Sequence, residues 1–170
     1  MNSSYKVAEL LTLSEENWKE SVSSPHKFSL YLHRLRDLEY RLAQEITLKR
    51  GISLTEFDIL ASLRRYSSPY SSTPAQLQSA TLLTSGGLTK VLHQLESKKL
   101  VYRSIHPKDK RSKLVHLTPE GKAKAESLMD ELNTMVDNLL TKVFDSDEKK
   151  KSFISSLGDL LTVLESDPSK

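Results

Sequence analysis

The stretch from Thr73 to Leu117 constrains the fold most, because two helix-start signals follow each other closely and an alternating pair of strands comes next. Thr73-Pro74-Ala75-Gln76 combines an N-cap threonine, proline at the first helical position and glutamine at the reciprocal capping position. That spelling predicts a short helix to about Leu82. Thr84-Ser85-Gly86-Gly87 then starts a second helix, predicted over Ser85 to Lys98. Leu88, Val91, Leu92 and Leu95 share one face of it by their i, i+3, i+4, i+7 spacing, while Ser85, Gly86, Thr89, Lys90 and His93 share the opposite one. Leu100 to Ile105 reads as a strand, His106 to Ser112 as a polar turn and Lys113 to Leu117 as the returning strand.

The flanks are helical. Residues 5 to 23 read as a short amphipathic helix with a fresh start at Ser14, ended by Ser23-Ser24-Pro25. A long helix is predicted from Phe28 to Lys49, with an apolar stripe of Phe28, Tyr31, Leu32, Leu35, Leu38, Leu42 and Ile46 and with Gly51 as its stop. Thr55 is read as opening a helix over Glu56 to Tyr66, and Ser67 to Ser72 as a loop. Thr118-Pro119-Glu120 repeats the cap-then-proline signal and opens a helix to about Phe144. A last helix begins around Asp145-Ser146-Asp147-Glu148, with Phe153, Ile154, Leu157, Leu160, Leu161 and Leu164 expected to turn inward. The stripes at Leu128 to Val143 and at Phe153 to Leu164 fit a core within the chain, and the sequence does not separate that from a seam between two chains.

Composition matters mainly through where the charge sits. The net charge of the 170 residues is only +3. Thr84 to Lys124, however, holds ten basic residues against three acidic ones, a net of +7, and the remainder carries −4. A clustered basic segment is the electrostatic footprint of a phosphate-backbone partner, although a solvated basic surface gives the same count. The absence of cysteine excludes disulfides, thiolate metal sites and thiol switches. No apolar run approaches the ~20 residues that cross a bilayer. The first fourteen residues lack the order of a secretory signal, so the expected location is cytoplasmic, with no membrane partner. The five histidines show no metal-ligand spacing, and no GxSxG, GxGxxG or GxxxxGK[ST] pattern occurs. Neither an enzyme nor a cofactor is expected.

The fold class that follows is mainly α with a small β-hairpin wing. It is a winged helix-turn-helix (residues 51–118) between an N-terminal helical lobe (1–50) and C-terminal helices (119–170). In such a motif the second helix of the pair lies in the DNA major groove, with its N-terminal residues at the base edges. Small Ser85, Gly86 and Gly87 allow backbone to approach phosphate, and N–H groups exposed there can bind phosphate oxygen. Thr89, Lys90 and His93 supply donors toward the bases; for Lys90 a guanine edge and a phosphate are equally open. At the hairpin tip stand Lys108, Asp109, Lys110 and Arg111. Arg111 suits a narrow, negative minor groove, and Asp109 could hold it by a charge-assisted hydrogen bond.

The stretch from Leu54 to Gly121 resembles the MarR family of bacterial transcriptional regulators. The resemblance rests on Phe57-Asp58-Ile59-Leu60-Ala61-Ser62-Leu63-Arg64-Arg65, Ser85-Gly86-Gly87-Leu88-Thr89-Lys90, Leu92-His93-Gln94-Leu95-Glu96, Asp109-Lys110-Arg111 and Leu117-Thr118-Pro119-Glu120-Gly121. Lys99 stands where the family usually has glycine, which implies a left-handed residue before the wing. The resemblance implies a homodimer built from the terminal helices, a palindromic double-stranded DNA operator and, commonly, repression relieved by a small ligand. A narrower resemblance, to the urate-responsive PecS-like branch, rests on Trp18, Phe57-Asp58, the Ser-Pro-Tyr loop and Leu82 to Gly86. It implies ligand contacts at Trp18, Asp58 and Arg103 for a small aromatic or anionic effector. The branch's recognition-helix arginine is replaced by Val91. Trp18 and Asp58 read equally well as packing and capping residues. Two other readings share the motif: a sequence-tolerant architectural DNA-binding protein, and a winged-helix module for protein contact.

Overall fold

A computed structural model describes residues 6–81, 83–107, 110 and 112–166. The elements run α1 (Val7–Asn17), a single 3-10 turn (Lys19–Ser21), α2 (Ser24–Lys49), α3 (Leu54–Arg64), β1 (Ser71–Ser72), α4 (Pro74–Thr81) and α5 (Ser85–Ser97). They continue with β2 (Val101–Ile105), β3 (Lys113–Leu117), α6 (Pro119–Thr141) and α7 (Asp147–Glu165). The chain divides into two compact units, one ending at Phe57 and the other beginning at Asp58.

In the first unit α1 continues through Ser14 without a new start, and the 3-10 turn carries the chain on to α2. Ser14 is therefore an interior helix residue; its carbonyl accepts from the Trp18 N–H at the helix end. α2 begins four residues earlier than the spacing predicts. Ser23 caps it by accepting from the His26 N–H, and Pro25 lies in the first turn, where its missing N–H costs nothing. The apparent helix breaker is a helix opener. At the other end Gly51 takes φ +80°, the Gly51 N–H donates to the Leu48 carbonyl and the Ile52 N–H to the Thr47 carbonyl, a Schellman stop.

α3 is capped by Ser53, not opened by Thr55. Ser53 Oγ accepts from the Glu56 N–H at 3.1 Å while Glu56 Oε2 accepts from the Ser53 N–H at 2.7 Å. That reciprocal box moves the helix start to Leu54.

The second unit is built on an antiparallel sheet of order β1-β3-β2. The predicted two-stranded hairpin pairs in the register Val101↔Leu117 to Ile105↔Lys113. The predicted loop over Ser67 to Ser72 ends in a third strand, with Ser71 opposite His116 and Ser72 opposite Val115. Two residues carry no readable alternation; the free edge of β3 supplies the pairing that the local sequence does not specify.

Ile59, Leu60, Leu63, Leu77, Leu88, Leu92, Leu95, Val101, Val115, Leu117, Ala125 and Leu128 form the buried core. At roughly 1.5–3 kcal/mol for each fully buried large aliphatic side chain, this cluster dominates the unit's stability. Two close approaches fix its geometry. Lys99 takes φ +57°, and the bonds from the Lys99 N–H to Glu96 O and the Leu100 N–H to Leu95 O complete a second Schellman stop, with lysine where glycine is usual. Thr118 then caps α6 by accepting from the Gly121 N–H, and its hydroxyl donates to the Lys99 carbonyl at 2.8 Å. Gly121 lies so close to the Leu100 carbonyl that a Cβ there would collide with backbone.

α7 contradicts one expectation. Phe153, Ile154, Leu157, Leu161 and Leu164 do not turn inward; all are exposed, and α7 contains no buried residue. The α2 stripe is likewise open at Phe28, Tyr31, Leu32, Leu35, Leu38 and Leu42. A 19-residue helix packed only locally has no core to turn toward.

Candidate nucleic-acid interface

α4 and α5 present the site. The capping box on α4 forms as its residues predict: Gln76 N–H donates to Thr73 Oγ1 at 3.3 Å, and Gln76 Oε1 accepts from the Thr73 N–H at 3.0 Å. Thr84 caps α5 by accepting from the Gly87 N–H at 3.2 Å. A Cβ on Gly87 would press on that same hydroxyl at 3.1 Å, whereas one on Gly86 would meet nothing within 4 Å. Gly87 therefore serves the cap, and Gly86 leaves open space in front of the helix N-terminus. Among the described residues no acceptor is recorded for the backbone N–H of Ser85 or Gly86. Those groups sit at the positive end of the α5 dipole.

The division of α5 is clean. Leu88, Val91, Leu92 and Leu95 are buried, while Ser85, Gly86, Thr89, Lys90 and His93 are exposed and Gly87 is half-buried. Val91 lies on the core face, so an arginine at that position would have to bury its charge; valine fits where it stands. Thr89 donates its hydroxyl proton to the Ser85 carbonyl at 2.9 Å, which leaves the oxygen outward as an acceptor. Lys90 has no partner among the described residues and is free to meet an external anion.

His93 does have a neighbour. Its Nδ1 lies 3.6 Å from Glu96 Oε2, and the other oxygen of Glu96 lies 3.2 Å from Arg103 Nε on β2. Two residues singled out for different purposes, His93 and Arg103, are thus joined through one carboxylate. Sequence reading missed Glu96, because the link crosses the turn between α5 and β2. Arg103 is only 21% exposed, and among the described residues neither Nε nor Nη2 meets an acceptor in hydrogen-bond geometry, so Glu96 holds it by charge more than by direction.

At the wing, Lys110 and Lys113 are exposed, and the His106 N–H donates to Ser112 O across the turn. Lys108, Asp109 and Arg111 lie outside the described residues, as does Leu82. On the sheet, His116 is buried beneath Tyr102, which stacks on it with ring centroids 4.7 Å apart. His116 Nε2 is 2.8 Å from Ser104 Oγ, its Nδ1 has no partner, and burial lowers its pKa.

The candidate ligand residues are distributed as follows. Trp18 belongs to the first unit and is 66% exposed. Asp58 lines a cavity of about 210 Å³ with Ser62, Arg65, Ala80 and Thr81, and Arg103 is not among its walls. Arg65 is the cation that sequence reading missed, although Asp58, Ser62 and Arg65 recur at i, i+4, i+7 on one face of the helix. On the other side of Arg65 a cavity of about 390 Å³ opens between Ala61, Arg64, Ala125, Glu126, Met129 and Asp130. Arg64 closes one side of it by pairing with Glu126 at 2.7 Å. Among the described residues no cluster of acids and histidines could hold a metal, and no helix is long and apolar enough to cross a membrane.

This arrangement has known counterparts. The family model described as "MarR family" matches residues 52–113. The multiple antibiotic resistance protein MarR of Salmonella typhimurium is 34% identical over 108 residues, 64% of this chain and 73% of that one. The chain belongs to the MarR family. The HTH-type transcriptional regulator PecS of Dickeya dadantii is 35% identical over 100 residues, 59% of this chain and 60% of that one. A crystal structure of a mutant MarR from E. coli complexed with operator DNA superposes with a TM-score of 0.65 at 27% identity, covering 79% of this chain and 94% of the other. These MarR-family relatives are transcription regulators, not enzymes, and their winged-helix architecture is the one found here.

Proposed function

We propose that this MarR-family chain binds double-stranded DNA at a palindromic operator as a homodimer and acts there as a ligand-responsive transcriptional repressor. One observation carries the reading. α5 keeps four aliphatic side chains buried and turns Ser85, Gly86, Thr89, Lys90 and His93 outward, with Lys90 unpaired among the described residues. A helix that presents only small and hydrogen-bonding side chains, with open N–H groups at its start, suits a major groove and its flanking phosphates. Gly87, Lys110 and, on the sequence alone, Lys108, Asp109 and Arg111 complete the proposed DNA contacts.

The homodimer reading draws on the open stripes of α2 and α7, because apolar faces of that extent mark association surfaces. Two-fold symmetry then sets half-sites about one helical turn apart. The effector reading draws on the cavity lined by Asp58, Ser62 and Arg65, in which Arg65 offers a cation to a small aromatic or anionic ligand. Trp18 and Arg103 are proposed as further ligand contacts on the strength of the PecS resemblance.

Fluorescence anisotropy on promoter DNA adjoining the chain's own gene, with unrelated duplex as competitor, tests the central reading. Specific binding should exceed nonspecific binding by ~10³-fold or more. Lys90→Ala should weaken binding and, if Lys90 meets phosphate, reduce the slope of log affinity against log salt by about 1. Equal affinity for both duplexes would instead make this an architectural DNA-binding protein, and no binding at low salt would leave a protein-contact module.

A further inference from the structure

We infer that Glu96 and Arg103 hold His93 as a proton-linked DNA contact, so that binding to the operator takes up a proton at His93 Nε2. The inference rests on the DNA-binding reading above and adds to it a residue role and a pH dependence.

The argument starts at Arg103. Its guanidinium is largely buried on β2, and among the described residues Glu96 is the anion within ion-pair range of it. A buried guanidinium is costly without a counter-charge, so the pairing draws the Glu96 carboxylate to this side of α5. The second oxygen of that carboxylate faces His93 Nδ1 at 3.6 Å, one turn back along α5. This is ion-pair range, slightly beyond a hydrogen bond. An anion on the Nδ1 side favours hydrogen on Nδ1, which leaves Nε2 toward the exposed face of α5.

Among the described residues, the elements packed on α5 bring no competing charge to His93. α4 packs against α5 and contains no charged residue. β2 packs against α5 and brings Arg103, already engaged by Glu96, and Tyr102, which stacks on His116. On α5 itself the only other charges are Lys90, one turn earlier, and Glu96.

Chemistry then separates two states of the reading face. With Nε2 bare, His93 presents a lone pair, which a phosphate oxygen or a guanine edge repels. When Nε2 takes a proton from solvent, an N–H bond forms there and the ring becomes a cationic donor to the same groups. Glu96 compensates the new charge from behind. DNA therefore favours the protonated ring, and by linkage lower pH favours DNA. A preference of one pH unit corresponds to a factor of ten in affinity.

Operator affinity measured by anisotropy at constant salt should rise roughly tenfold between about pH 8 and about pH 6. Calorimetry in two buffers of different ionisation enthalpy should report net proton uptake on binding, averaging about half a proton per complex across that range. His93→Gln, which leaves the Arg103–Glu96 pair untouched, should keep its melting temperature, lose most of the pH response and take up no proton. Glu96→Gln should flatten the profile too and also lower the melting temperature, because Arg103 loses its anion. A flat wild-type profile, or a His93→Gln profile as steep as wild type, would overturn the inference; a Glu96→Gln profile matching wild type would remove Glu96 from it. If Glu96→Gln does not fold, the His93→Gln comparison still decides. Absence of specific DNA binding at every pH is a different result and sinks the functional reading itself.

Discussion

α5 and α7 carry the same apolar period and meet opposite fates. In α5, Leu88, Val91, Leu92 and Leu95 follow i, i+3, i+4, i+7, and Leu95 is fully buried. In α7, Phe153, Leu157, Leu160, Leu161 and Leu164 follow nearly the same pattern, yet Leu157 is 42% exposed. Periodicity says which face of a helix is apolar and says nothing about what covers it. α5 is covered from within its own unit by α4 and β2, and its aliphatic side chains are part of a finished core. α7 and α2 offer apolar faces that one chain leaves open. The contrast divides the molecule into a part that buries its apolar faces and a part that leaves them open.

The contrast breaks most visibly at α7. Leu157→Glu combined with Leu161→Glu should leave the reading head folded and convert the protein to a monomer in sedimentation analysis. Loss of the second head should cost ~10²–10⁴-fold in operator affinity, the usual gain from linked sites. A double variant that stays dimeric and binds like wild type would show that the open stripe is not the seam.

Inside the finished part, the tightest point is Gly121. An added methyl would collide with the Leu100 carbonyl, which already accepts from the Thr118 N–H at 3.1 Å. Backbone cannot swing aside as a side-chain tip can, so Gly121→Ala should cost about 3 kcal/mol in chemical denaturation. The same substitution at Gly158 of α7, where a Cβ meets nothing within 4 Å, should be neutral or slightly stabilising through helix propensity. Equal effects at the two glycines would erase the distinction between the packed and open regions.

This distinction also explains what could be read in advance. Capping chemistry is local, so Thr73 with Gln76, Thr84, Thr118 and the Gly51 stop were legible from a few adjacent residues. The two faces of α5 were legible for the same reason. Ser53 was overlooked because Thr55 offers a similar hydroxyl two residues on, and only the Glu56 reply decides between them. β1 was illegible because its pairing is set by the edge of β3, far along the chain. Glu96 and Arg65 gain their roles from neighbours across a turn or a cavity. The inward turn expected for α7 failed because apolar spacing does not say whether a covering surface lies within the chain.

The smallest of the expected effects tests the sheet that carries the wing. His116 is buried between strands, stacked under Tyr102, with Nε2 engaged by Ser104 and Nδ1 unpartnered. Burial lowers its pKa, whereas in the unfolded chain the ring titrates near the ordinary 6.5. Below that pH the unfolded chain binds the proton more readily than the folded one. The contribution of neutral His116 is therefore complete above about pH 6.5 and is lost as the pH falls toward and through the folded value. Melting temperature should drop between pH 7.5 and pH 5.5, and His116→Phe, which keeps a ring against Tyr102 and removes the proton site, should lose part of that drop. Acid sensitivity lies in this sheet only if the two profiles diverge. Parallel profiles would place it elsewhere, and the packed unit would then owe none of its pH dependence to the one histidine it buries.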